Sequence, residues 1–238
     1  MFSYDAALAK ATSTAPVSIA DVLATMQAID NTCVDGDGVK WFNWLYMQVT
    51  ESVENRVTVG GLADTAWLTE LDVQFATLFF SALNASLTGN PCPGCWAAMF
   101  AVRNQTDIAR IQFALAGMNA HINHDLPFAI IATCNATGTV PQHGGPQYAD
   151  YTGLNGPMDA LIEVAKKTLN VRLLGDVLPV ESNLENTIAA WDLATAREKA
   201  WNTAESLRQE PSILRAAHMD IIDGLTSVIS KVLLVPIP

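Results

Sequence analysis

The segment Gly117-Met-Asn-Ala-His-Ile-Asn-His-Asp-Leu-Pro-Phe-Ala129 gathers two histidines, two asparagines, an aspartate and a proline between apolar runs. Wound as an α-helix, it places His121 and Asp125 one turn apart on a single face. His124 lies about 60° to one side of His121, close enough to join that face. Asn119 and Asn123 form a second pair of the same spacing on nearly the opposite side. A ring nitrogen and a carboxylate so placed can ligate one divalent ion. Without metal, the pair is a carboxylate-oriented histidine suited to general-base work. A buried cluster tying neighbouring helices together is the plainer alternative. Five hydrogen-bonding side chains between positions 119 and 125 are costly to bury without a use.

One segment cannot complete a metal shell. Asp72, an acid inside the apolar run Leu71-Asp-Val-Gln-Phe-Ala76, is the best further ligand, so the expected set is His121, Asp125, Asp72 and His124. The sequence does not distinguish zinc, iron, manganese and magnesium. His218 is second choice and reads first as a half-exposed helix residue; His143 reads as a solvated loop residue and Glu70 as surface. Asn119, Asn123 and Arg197 are expected to orient substrate or ligands. Arg197 could also pair with Asp72 or Asp125. Asn43, among Trp41, Trp44 and Tyr46, marks a pocket wall to which Phe75 would add a ring. Asp35-Gly-Asp-Gly38 fails as a calcium loop, because the positions required for Gly and Glu hold Lys40 and Tyr46. Cys92-Pro-Gly-Cys95 has the spacing of half a zinc site, but the sequence has no second pair, so it reads as loop punctuation.

The elements that must carry these residues are helical. Apolar residues recur every three or four positions from Leu62 to Leu87, bounded by Gly60-Gly61 and Gly89-Asn90-Pro91. Further helices are expected over Trp41–Val53, opened by Asp37 or Gly38, and from Thr106 to about His124. Others cover Gln147–Leu169, Asn183–Glu210 and Pro211–Leu234. Pro127 cannot donate to the carbonyl of Asn123 and crowds it, so a kink belongs there. Val57–Val59 and Val171–Leu174 are the only short strand candidates. The expectation is an all-α fold: one compact multi-helix bundle over residues 1–238, with a kinked central helix near Pro127. An N-terminal arm covers about 1–17, and 136–147 form an irregular loop.

Composition excludes several functions. The chain has 238 residues, and 24 acidic against 13 basic side chains give a net charge of −11, the wrong sign for binding nucleic acid. Only 16% of residues are charged, too few for a disordered chain. No apolar run reaches the length of a membrane span, and Met1–Ala11 has no signal-peptide pattern, so a soluble cytoplasmic protein is expected. Phosphate-binding glycine loops, a G-x-S-x-G elbow and H-E-x-x-H are absent, which removes nucleotide cofactors and serine-hydrolase chemistry.

The strings Trp41-Phe-Asn-x-Leu-Tyr-x-x-Val-Thr50, Leu71-Asp-Val-x-Phe-Ala76 and Gly117-Met-Asn-Ala-His-Ile-Asn-x-Asp-Leu-Pro127 resemble an uncharacterised domain-of-unknown-function family of bacteria and fungi. Asp150-Tyr151 with Asn155, and Ala196-Arg-x-x-Ala-Trp201, resemble its later motifs. The resemblance implies a single compact helical domain and no particular activity. A fainter likeness joins His121 and Asp125 to the H-x-x-x-D helix of zinc-dependent phospholipase C and single-strand nucleases. Those enzymes use more histidines and a free N-terminal residue; this chain has four histidines in all. The leading expectation is a metal-dependent enzyme that hydrolyses or eliminates on a small, largely apolar substrate. The alternatives are a metal-free cyclase or isomerase using the same cluster, and a non-catalytic helical binding protein.

Overall fold

The computed structural model describes residues 2–140, 142–169 and 192–236, and among them there is no strand. In chain order the helices are α1 (Asp5–Ala11), α2 (Ile19–Thr32), α3 (Gly38–Val59), α4 (Thr65–Leu87), α5 (Gly94–Val102) and α6 (Arg110–Ala120). A π-helical segment, His121–Asp125, runs directly into α7 (Leu126–Thr137). Then follow α8 (Pro146–Gly153), α9 (Asn155–Leu169), α10 (Leu193–Gln209) and α11 (Ser212–Leu233). The fold is all-α. No helix among the described residues is long and apolar enough to cross a membrane.

Caps fix the longer helices where the sequence supplies an acid. The Asp37 carboxylate accepts from Val39 N–H, Asp64 from Trp67 N–H and Asp192 from Thr195 N–H. The strand candidate Val57–Val59 is instead the last turn of α3. Three β-branched or polar residues do not halt a helix already propagating; Gly60, at φ 85°, does. The expected arm over 1–17 contains α1, whose Leu8 is fully buried. The expected helix from Gln147 to Leu169 is two, broken at Leu154. Residues 94–102 are apolar nearly throughout, so α5 has no periodicity to read. Val171–Leu174 and the start of the helix expected at Asn183 lie outside the described residues.

The centre of the bundle is α6, in which every residue from Ile111 to Ala120 is buried. It crosses α3 at two reciprocal close approaches, where a methyl group at Gly117 would overlap the Phe42 ring and one at Gly38 would overlap Phe113. Side-chain amides then fasten neighbours to this frame. Asn43 Nδ2 donates to Met26 O at 2.9 Å, joining α3 to α2. Gln112 Nε2 donates to Leu233 O and Val235 O at the end of α11. Each such bond is worth about 1 kcal/mol net and far more in lost stability when one partner is removed.

Candidate functional site

The irregularity that Pro127 demands is a widened turn. Pro127 has no N–H for the Asn123 carbonyl, and the Leu126 N–H reaches back five residues to His121 O. This is π winding, a rare geometry often found at functional sites. It turns successive side chains through less than the 100° of an α-helix, so the angle between His121 and His124 opens. The two imidazoles therefore leave the helix on different sides instead of sharing one face, and Asp125 lies between them.

Asp125 holds both rings. Its Oδ2 accepts from His121 Nδ1 and from Trp96 Nε1, each at 2.9 Å; its Oδ1 accepts from His124 Nδ1 at 2.7 Å. Burial alone would push this carboxyl up, but the hydrogen bonds from His121 and His124 outweigh it and hold it below the ordinary aspartate value. An ionised carboxylate only accepts, so both rings carry their proton on Nδ1. His121 is 1% exposed and sits in an aromatic box. It stacks flat on Phe75 at 3.5 Å between centroids and meets Tyr46 edge-on at 4.5 Å; Phe42, Phe79 and Trp96 close the remaining sides. Burial lowers its basicity despite the Asp125 carboxylate. Its Nε2 is buried and has no hydrogen-bond partner.

Phe75 and Tyr46 also line a cavity of about 30 Å³ between α3, α4, α7, α9 and α10, together with Asp72, Leu126, Met158 and Arg197. Asp72 is an acid without a donor: its Oδ2 is buried and unpartnered, as is the Tyr46 hydroxyl. Burial, with the Glu54 charge adding to it, pushes the Asp72 carboxyl up to about 7. Burial and the charges of Asp72 and Asp125 push the Tyr46 phenol well above its ordinary value, against a smaller lowering by the Thr50 hydroxyl nearby, with which it makes no well-formed hydrogen bond. Arg197 keeps its guanidinium on the wall: Nε donates to Asn155 Oδ1 and Nη2 to Tyr151 O, both at 2.7 Å, and the group lies 4.0 Å over the Tyr151 ring.

The expected metal shell is not assembled. His121, His124 and Asp125 meet, but as hydrogen-bond partners of one another, and Asp72 faces the cavity instead. Among the described residues the side chains gathered at ligand spacing are Cys95, His124 and Asp223. Asn119 and Asn123 do not reach the cavity. Asn119 donates to Thr226 O and Ser230 Oγ of α11 and accepts from Asn123, so this pair ties α6 to α11. Of the expected pocket wall only Phe75 lines the cavity. Asn43 ties α3 to α2, Trp41 donates to Asp35 O beneath the Arg110 guanidinium, and Trp44 packs half-buried against the core. Arg197 pairs with neither Asp72 nor Asp125. His143 pairs with Glu198 and Glu205, His218 with Glu210, and Glu70 accepts from Gln74.

Tyr46, Trp96, Cys95 and Asp223 are the site residues that sequence reasoning passes over. Asp223 carries the signal that singles out Asp72, an acid inside an apolar run, here Ile221–Leu225. Tyr46 and Trp96 read as ordinary core aromatics, and only the fold reveals what their polar atoms face.

A family model described as a family of unknown function, DUF5995, matches residues 19–236. No curated protein and no solved structure matches the chain.

Proposed function

The chain belongs to the DUF5995 family of unknown function, and we propose that it is a small-molecule isomerase or cyclase that moves a proton on a largely apolar substrate in the Asp72 cavity. The observation that carries this reading is the buried, unpartnered Oδ2 of Asp72 beside the unpartnered Tyr46 hydroxyl in an apolar cavity. A carboxyl and a phenol left without partners in a helix core cost several kcal/mol unless a ligand completes them. A carboxyl poised at about 7 is matched to taking and returning a proton near neutral pH. The Asp72 carboxylate removes a proton from a carbon beside a substrate carbonyl. Tyr46 O–H donates to the carbonyl oxygen, and the Arg197 charge favours the enolate that forms. Asp72 then returns the proton to a different carbon, giving an isomer, or the enolate carbon closes on an internal carbonyl carbon, whose oxygen receives the π electrons and the Asp72 proton, giving a ring with a hydroxyl. The cavity is about 30 Å³ as it stands, room for water and not for a substrate, so this reading requires its walls to open on binding. Met158, with an unbranched side chain that repacks readily, is the lining residue suited to move first.

The test is a panel of β,γ-unsaturated cyclic ketones, followed by the absorbance of the conjugated product. Conversion is expected to rise with pH through about 7 and to fall roughly a hundredfold or more in Asp72→Asn. Wild-type conversion no faster than buffer across the panel, or an equally active Asp72→Asn, ends this reading.

A further inference from the structure

Cys95 finds in space partners that the sequence does not supply beside it. Cys95 Sγ, a ring nitrogen of His124 and a carboxylate oxygen of Asp223 lie within 4.8 Å of one another, from α5, the π segment and α11 respectively. Two of the three are held from behind. His124 Nδ1 is bound to Asp125 Oδ1, leaving Nε2 as the nitrogen with a free lone pair. A carboxylate that grips the far nitrogen of a ligating imidazole is the usual support of a protein metal site. Asp223 accepts from the backbone N–H groups of Gly94 at 2.7 Å and Cys95 at 2.9 Å, which fixes its carboxylate and still leaves lone pairs unused. Cys95 is fully buried, and its thiol turns to the Asp223 carboxylate, the S–H that a metal ion would replace. Cys92 precedes it by three residues, half-buried on the loop before α5; it stands outside that group, but the Asp223 charge reaches its thiol, and a small movement of the loop would bring it in. All four cysteines are free thiols.

We propose that Cys95, His124 and Asp223, with Cys92 as the fourth ligand, bind one zinc-class divalent cation at the junction of α5, the π segment and α11. Two sulfurs, one imidazole and one carboxylate form a tetrahedral set that favours zinc over magnesium or calcium. On binding, each thiol S–H breaks, a sulfur–metal bond forms and the proton passes to solvent. The ion would clamp three elements that meet around His124. The site is distinct from the Asp72 cavity: none of Cys92, Cys95, His124 and Asp223 lines it.

Co²⁺ titration of the full chain after chelator treatment tests this. The expected result is one equivalent bound, tetrahedral visible bands and a sulfur-to-cobalt charge-transfer band in the near ultraviolet. Either Cys92→Ser or Cys95→Ser should roughly halve that band and the double variant should abolish it. His124→Gln should weaken binding at least roughly tenfold with an unchanged far-ultraviolet circular dichroism spectrum. Zn²⁺ should also raise the melting temperature of the unmutated chain, a readout that needs no variant. Asp72→Asn should bind Co²⁺ as the wild type does, which separates this site from the proposed proton-transfer cavity. No charge-transfer band at a large excess of Co²⁺, a band that survives both serine substitutions, or no thermal shift with Zn²⁺ would overturn the assignment.

Discussion

Asp72 and Asp125 are the same residue in nearly the same degree of burial, 6% and 1% exposed, on adjacent stretches of one helical core. Their carboxyls are displaced in opposite directions. Asp125 receives three donors, from Trp96, His121 and His124, and stays ionised. Asp72 has an oxygen with none and is pushed up to about 7. Burial raises both; the donors reverse it in one case only. One acid is a fixed structural charge and the other is a group whose proton can leave, and the difference lies entirely in what the fold aims at each.

The sharpest way to break this contrast is to remove the saturated acid. Asp125→Ala leaves the Trp96 indole and both imidazole Nδ1–H groups without acceptors in a dry core. At about 1–3 kcal/mol for each orphaned donor, the expected loss is on the order of 5 kcal/mol, read by urea denaturation. A loss below about 1 kcal/mol would mean the three donors find water, and the contrast with Asp72 would collapse.

Asp72→Asn probes the other side and has the opposite sign. A carboxyl raised in the folded state favours folding relative to its ionised form only while the unfolded chain is also protonated. Wild-type stability should therefore be highest below about pH 4 as far as this group is concerned, fall as pH rises, and level off above about 7. The span corresponds to about 4 kcal/mol. The amide removes that slope, so Asp72→Asn should be the more stable protein above neutral pH and lose its advantage in acid. A pH-independent difference between the two proteins would show that Asp72 is already ionised in the fold.

How much of this contrast was legible in the sequence follows from what each residue touches. Asp125 and Asp72 stand out as acids in apolar surroundings, and the helical periodicity places them on buried faces. Most of the longer helices of the all-α bundle are legible for the same reason, one face being polar; α5 is missed because it has no polar face, and α2 is missed despite its buried stripe Ile19, Val22, Met26 and Ile29 and its Ser18 cap. Donors arriving from other elements leave no trace in local spacing. Trp96 reaches Asp125 from 29 positions away, and nothing around either residue predicts the meeting. The expectation that His124 shares a face with His121 assumed α-helical winding. Pro127 announces a disturbance, but whether the chain kinks or widens depends on the packing of α6 and α7. The π winding sets His121 and His124 apart, while Asp72, on another helix, faces the cavity.

Phe75→Leu is a smaller perturbation that reaches both sites. The Phe75 ring stacks on His121 and forms part of the Asp72 cavity wall. Losing an aromatic stack costs about 1 kcal/mol beyond the change in buried area, and leucine roughly preserves that area. The expected loss is 1–2 kcal/mol, with a changed His121 ring resonance in NMR spectra and an unchanged His124 resonance. A shift of both rings together would mean that Asp125 does not insulate one from the other.

Pro127→Ala should have the smallest effect on stability, within about 1 kcal/mol, and it decides what holds the two imidazoles apart. If the missing N–H of proline forces the widened turn, alanine supplies a donor to the Asn123 carbonyl and the segment reverts to α-helix. The angle between His121 and His124 then closes, and one ring must release Asp125. If the pairing of Asp125 with Trp96, His121 and His124 is the stronger constraint, the Leu126 N–H stays bonded to His121 O despite the new donor. The energies favour the second outcome: the charge-assisted bond that one ring would lose, with the ring N–H it would leave without an acceptor, outweighs the single backbone bond gained. The crystal structure of Pro127→Ala should therefore retain the π segment, with both histidine Nδ1 atoms still on Asp125. A regular α-helix through 121–125 would assign the geometry to proline alone.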